Sequence, residues 1–345
     1  MFRRLLPKPN LPRLTERFGI RSRAQFLRDV GTVVRHLPRG DRYAFNVASA
    51  ALLRPDLSLP AYAGLLPSDG VAPIFNFFDR DGGGRDFRSI VTRSPSLRDW
   101  RGGRLSYDEH DGTDLVCPPG TPLVAAAPGV VAITRDNWLR GGLTLCIDHG
   151  EGVVTQYTHL TSVTCEPGQR IERGERIALS GVSGLDMTQF CPWVPPHVHF
   201  MVWIDGRPVD PFLADGEEPR AGTWMHGNSP ITARGPLPGD PRPDAILCAV
   251  DDRRVDELRS RCLEPRIVEE IDRARSALAR AAILEDSLHH DRPAWPADVG
   301  PSVLRPRGDT MRVRLTLPLP ADLYVSARAA DAPWTRPAEG LRSQG

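Results

Sequence analysis

The run His197-Val-His-Phe-Met-Val-Trp-Ile204 constrains the fold more than any other stretch of this chain. Strand side chains alternate between the two faces of a sheet. Val198, Phe200, Val202 and Ile204 share one parity and suit a core. His197, His199, Met201 and Trp203 share the other. On a strand the two histidines project together, with Cα atoms roughly 6.5–7 Å apart. One imidazole can then bind a metal while the other reaches a neighbouring water or a substrate. Two ordinary histidines on a strand would satisfy the same pattern.

Two further stretches add polar groups. In His110-Asp-Gly-Thr-Asp114 the turn-rich middle, with Gly112 permitting a backbone bend, lets an imidazole and a carboxylate converge. Zinc accepts both at about 2.0–2.2 Å; a solvated polar turn is the plainer alternative. In the third stretch Leu143, Leu145 and Ile147 alternate before the turn residues Asp148-His-Gly-Glu-Gly152. A second strand then carries Val153, Thr155, Tyr157 and His159 on one expected face, with His159 at its rim. His149 falls in the turn and reads as structural. Four histidines and one aspartate thus fall within ninety residues, spaced for a three-ligand zinc site with two histidines to spare. Three protein ligands leave one position on the metal open, as catalysis requires.

These stretches, in this order, resemble the lysostaphin-type, LytM-like M23 zinc metallopeptidases. The family pattern is H-x-G-x-D, then H-G-x-G-x-x-T-x-Y-x-H-L, then H-x-H-F. Further matches are Pro122-Leu-Val-Ala-Ala-Ala-Pro-Gly-Val-Val131 and the segment from Gly168 through Gly174 to Gly181. The resemblance covers about residues 100–213. It implies one zinc per chain held by His110, Asp114 and His199, with His159 and His197 as catalytic histidines. It also implies endopeptidase action on peptide cross-links of bacterial peptidoglycan, by attack of a zinc-bound water. The implied fold is α+β: a mainly antiparallel β peptidase domain with helical N- and C-terminal extensions. Two other functions stay open, a catalytically silent regulator of wall hydrolases and a zinc peptidase acting on a non-wall peptide. One departure stands out. The segment between Gly181 and His197 is longer and more apolar than the family's, with Phe190 and Trp193 near the expected cleft. It either packs on its own domain or forms an altered groove wall.

The whole chain sets outer bounds. Its 345 residues suggest about two domains. Lys and Arg number 44 against 43 Asp and Glu, so the net charge is +1 and no polybasic patch argues for nucleic acid. No run approaches the roughly 18 apolar residues of a membrane span. Residues 1–20 are basic but lack the apolar core of a secretory signal. The substrate class points outside the cytoplasm, so location and export route stay open, as does the oligomeric state. The six cysteines form no C-x-x-C pair and read as free thiols.

Four segments are expected: an N-terminal extension over 1–95, the peptidase domain over 96–215, a Pro/Gly-rich linker over 216–245 and a C-terminal segment over 246–345. Arg21 to Leu37 suits a helix with Phe26, Leu27, Val30, Val33, Val34 and Leu37 as its apolar stripe. Ala44 to Leu53 suits a second, shorter helix. The first hundred residues could inhibit the cleft, cap it, bind substrate or simply extend the core. Asp251 to Leu284 has helical character interrupted at Pro265, with Ile267, Ile271, Ala274, Leu278 and Ala281 forming a stripe that docks in cis. Met311 to Leu317 alternates like an edge strand, limited by Pro318 and Pro320. The last fifteen residues read as disordered.

Overall fold

The computed structural model describes residues 2–7, 12–36, 53–76, 78, 90–93, 105–108, 110–137, 141–188, 191–211, 231–300, 302–305 and 313–330. In chain order the elements are β1 (Phe2–Leu5), α1 (Leu14–Arg17), α2 (Arg23–His36), α3 (Pro55–Tyr62), β2 (Leu65–Pro67), β3 (Val71–Asn76), β4 (Ile90–Arg93) and β5 (Leu105–Asp108). There follow β6 (Thr113–Val116), β7 (Pro122–Val124), β8 (Gly129–Asn137), β9 (Gly142–Asp148), β10 (Val153–Val163), β11 (Arg170–Ile171), β12 (Arg176–Ser180), α4 (Leu185–Thr188), β13 (His197–Ile204) and β14 (Arg207–Val209). The C-terminal part adds α5 (Asp252–Arg261), α6 (Pro265–Arg273), α7 (Ala277–His290) and β15 (Ser326–Ala329).

The fold is α+β around one large, mainly antiparallel sheet. Its main path runs β11-β8-β9-β10-β13-β6-β3-β15. The β3–β15 pair is parallel. The alternation of β9 and β13 explains the sheet's position. Leu143, Leu145, Ile147, Val198, Phe200 and Val202 enter one core with Leu123, Ile177, Leu315, Leu317 and Tyr324. The opposite parity, Cys146, Met201 and Trp203, is buried as well, against Ala282 and Leu278 of α7. Both faces of the central strands are therefore covered, and β9 is buried along its whole length. Burying a Val, Leu or Phe stabilises by about 1.5–3 kcal/mol, so this two-sided burial fixes the strand register.

The C-terminal helices start where local chemistry directs. Asp251 caps α5 by accepting from Arg254 N–H, and Ser276 caps α7 by accepting from Ala279 N–H. Pro265 occupies the first turn of α6, where its missing N–H costs nothing. The expected helical stretch is thus three helices, with breaks at residues 262–264 and 274–276. Ile267, Ile271 and Ala281 pack with Val255, Leu258 and Trp295 in a core of their own. Arg305 ties this part to the sheet: it donates to Asp148 at 2.5 Å and also contacts Glu285, and all three are buried.

Two local expectations are corrected. Along α2, Phe26 is 37% and Leu27 58% exposed, while Gln25 is buried, so the expected apolar stripe does not face inward there. Gln25 wins the inner position because its amide donates to Gly19 O and Asp136. The side chains of Val33 and Val34, and Leu37, lie outside the described residues, as do residues 44–52 of the second expected helix, and residues 331–345. Residues 313–318 form no strand ladder. Thr316 N–H and Leu317 N–H donate to Ala126 O and Ile231 O, and Pro318 cannot donate at all. The strand of this region is β15. Among the described residues no helix is long and apolar enough to cross a membrane.

Candidate active site

β6 and β13 are antiparallel neighbours, with Asp114 opposite His199 and Val116 opposite His197. That register brings His110, Asp114 and His199 together. His110 Nε2 lies 3.1 Å from Asp114 Oδ2, and His199 Nδ1 lies 2.8 Å from Asp114 Oδ1. One donor atom from each of the three falls within 4.8 Å of the others. Two imidazole nitrogens and a carboxylate oxygen are the donor types zinc takes, and three leave a coordination position open. The group could therefore hold a metal ion.

Gly112 matters here for a reason other than backbone freedom, since its φ is not left-handed. A Cβ at Gly112 would lie 2.8 Å from His199 Cε1 and Nε2, and 2.9 Å from Phe200 O. Only glycine lets the turn approach the imidazole this closely.

His159 is corrected in its placement. Tyr157 pairs with Phe200 and faces the core, so plain alternation would send His159 to the core as well. Instead His159 has a φ of 61°, and the β9–β10 register shifts between Tyr157 and Leu160. The left-handed residue turns the side chain to the opposite face, beside His197 (ring centroids 5.0 Å apart). A non-glycine residue there costs about 1–2 kcal/mol, strain of a kind that clusters at functional sites.

Both remaining histidines are oriented through Nδ1. His159 Nδ1 lies 2.9 Å from Ser183 O, and His197 Nδ1 lies 2.7 Å from Pro195 O. A carbonyl can only accept, so each Nδ1 carries a proton. His197 Nε2 is 3.4 Å from Asp114 Oδ1. Burial pushes the His197 imidazole down to about 4, so it is neutral at pH 7. Burial would also depress His199, but its bonds to Asp111 and Asp114 raise it to about 10. Burial acts to raise the Asp114 carboxyl, yet the charges of His110 and His197 and the bonds from His110 and His199 hold it well below the usual carboxylate range. His149 lies elsewhere. Its Nδ1 donates to Pro128 O at 2.8 Å, and its Nε2 is 2.7 Å from Thr155 Oγ1.

The site is nearly enclosed. His159, His197 and His199 are only 4%, 4% and 6% exposed. On one side α1 backs the loop that holds His159: Val182 N–H donates to Arg17 O. Residues 191–196 lean on α3, with Trp193 O accepting from Arg54 N–H, and Met187 and Val194 packing with Leu57 and Ala61. Much of the unusual loop therefore packs on the protein itself, while Trp193 stays 49% exposed.

Sequence reasoning missed the outer partners. Asp111 Oδ1 accepts from His199 Nε2 at 3.1 Å, and Asp111 also meets His289 and His290 of α7. Asp111 lies inside the quoted turn motif and is visible there. Nothing near His289 and His290 in the chain links them to a turn almost 180 residues earlier.

Residues 108–211 match the model of Peptidase family M23. Among curated relatives, the peptidoglycan DD-endopeptidase ShyA of Vibrio cholerae serotype O1 is 37% identical over 106 residues, covering 31% of this chain and 23% of the relative. The peptidoglycan DD-endopeptidase ShyB of the same organism is 36% identical over 106 residues, with the same coverage. The chain thus spans under a quarter of the length of these relatives. Among solved structures, a zinc containing peptidase from Vibrio cholerae is 28% identical, covering 44% of this chain and 46% of that one, with a TM-score of 0.26.

Proposed function

We propose that the protein is a zinc-dependent endopeptidase that hydrolyses peptide cross-links of bacterial peptidoglycan. The observation that carries this reading is the convergence of His110, Asp114 and His199 beside two histidines, His159 and His197, each held through Nδ1 by a main-chain carbonyl. His110, Asp114 and His199 would hold one zinc ion. When bound, zinc supplies Lewis acidity that polarises a peptide carbonyl and acidifies water. His159 and His197 are the proton-handling groups. In each ring a main-chain carbonyl holds the Nδ1 proton, and burial keeps His197 neutral. One takes a proton from the attacking water and the protonated ring can return it to the leaving amine. As imidazolium, either ring can also stabilise the oxyanion of the tetrahedral stage. The small exposure of these rings keeps bulk water away and strengthens such interactions.

The peptidoglycan substrate is supported by the names of ShyA and ShyB, which are peptidoglycan DD-endopeptidases. Retention of all five polar residues weighs against a silent regulator. The test is turbidimetry of purified walls with wild type, His159→Ala, and enzyme stripped by chelator and then reloaded with zinc. The expectation is lysis by wild type, loss in the other two, and recovery on reloading. Zinc-loaded wild type that clears no wall of several cross-link chemistries, yet cleaves an unrelated peptide, would sink the wall assignment and keep the peptidase.

A further inference from the structure

Outside the group already described, the described residues contain one more set of His, Cys, Asp or Glu with metal-ligand spacing: Asp111, His289 and His290. We infer that these three residues form a second metal site, for a divalent ion of the zinc class, adjoining the first through Asp111. The inference does not depend on the proposed peptidase activity. His289 and His290 lie outside the residues matched to the family.

The geometry is specific. His289 Nε2 lies 3.1 Å and His290 Nε2 2.7 Å from the same oxygen, Asp111 Oδ2. Adjacent residues on a helix project about 100° apart, since a turn holds 3.6 residues. Convergence of two neighbouring imidazoles on one atom is therefore not what helix geometry gives by default. It is reached because α7 ends at His290 directly over Asp111. The side chains are enclosed: Asp111 is 1%, His289 10% and His290 8% exposed.

The surroundings are those of a metal ligand set. His290 Nδ1 lies 2.9 Å from Asp286 Oδ1, and Asp286 is itself paired with Arg135. A carboxylate on the far nitrogen of a metal-binding histidine fixes its tautomer and raises its basicity. It also leaves Nε2 aimed at Asp111. Trp203 meets both rings edge-on, at centroid distances of 5.3 and 5.9 Å, and its own Nε1–H donates to Gln156 at 3.0 Å. That indole is a rigid wall, which holds the ligands in place. Two imidazoles with one carboxylate suit zinc or its transition-metal neighbours; calcium and magnesium prefer all-oxygen sets.

Asp111 joins the two centres. Oδ2 faces the helix histidines, while Oδ1 accepts from His199 Nε2. Asp111 is thus an outer partner of the first group and a direct ligand in the second. An ion in the second site holds the Asp111 carboxylate, and through it the ring of His199.

The test is metal stoichiometry of the full chain, independent of activity. Protein stripped by chelator is titrated with Zn2+ alone, gel-filtered, and its zinc measured by mass spectrometry. Expected are two equivalents per chain in wild type, and one in His289→Gln/His290→Gln. One is also expected in His110→Gln/Asp114→Asn. Asp286→Asn, which removes no ligand, is expected to weaken the second equivalent about tenfold or more. One equivalent in wild type that survives His289→Gln/His290→Gln overturns the second site and leaves the first standing. A single equivalent lost with His289→Gln/His290→Gln and kept in His110→Gln/Asp114→Asn supports the second site and removes the proposed catalytic ion. Two equivalents retained by His289→Gln/His290→Gln also overturn it.

Discussion

Gly112→Ala places the sharpest demand on the geometry of the site. The added Cβ would meet His199 Cε1 and Nε2 at 2.8 Å and Phe200 O at 2.9 Å. Comfortable carbon contacts begin at about 3.5 Å, so roughly 0.7 Å must be opened. Phe200 is held in the β6–β13 ladder opposite Thr113, so its carbonyl cannot yield cheaply. The His199 ring is the part that moves. It sits 2.8 Å from Asp114 Oδ1, and a shift of this size stretches that contact beyond a normal hydrogen bond. Overpacking costs about 1–3 kcal/mol. Charged against the metal centre at 1.4 kcal/mol per tenfold, that is roughly a 5- to 150-fold loss of zinc affinity at the first site. The assay is competition for zinc with a chromophoric chelator, with urea unfolding of the metal-free protein run beside it. Zinc affinity within twofold of wild type, with an unchanged unfolding midpoint, would refute the argument that glycine is needed for close approach.

Three further outcomes are expected. His159→Gly should be about 1 kcal/mol more stable than His159→Ala in chemical unfolding, because glycine removes the penalty of a φ of 61°; both should lose activity by about 10²–10⁴-fold if His159 transfers protons. Arg305→Met should lower unfolding free energy by about 3–5 kcal/mol, because Asp148 and Glu285 are left as buried, uncompensated carboxylates. Burial lowers His149 to about 4, against 6.5 when unfolded. The depressed group favours the folded state above pH 6.5 and loses that advantage as pH falls to 4, where the unfolded chain takes up a proton the folded one refuses. At 1.36 kcal/mol per pH unit the loss is roughly 3 kcal/mol. His149→Gln should flatten the stability profile over that window, and an unchanged slope would count against the buried neutral imidazole.

Much of the peptidase core was legible because it is written in local pattern. The alternation from His197 to Ile204 placed two histidines on one face of a strand, since a strand has only two faces. The H-x-G-x-D and H-x-H spacings named four polar residues, since short motifs hold their own geometry. What lay beyond was decided by contacts between distant parts of the chain. His159 is itself left-handed, at a register shift in β10, and alternation alone sends it to the wrong face. Gly112 is required by the His199 ring, which arrives only when β6 pairs with β13. Gln25 takes the inner face of α2 because Gly19 O and Asp136 need a donor there. His289 and His290 look like the unremarked end of an alanine-rich helix until α7 is laid on the histidine face of the sheet. Local pattern was enough to pick out His110, Asp114, His197 and His199 as candidates and to put the last two on one face of a strand. Only the tertiary structure decided that the helical segment brings two more histidines to Asp111, because that contact depends on long-range packing to which no local periodicity is sensitive.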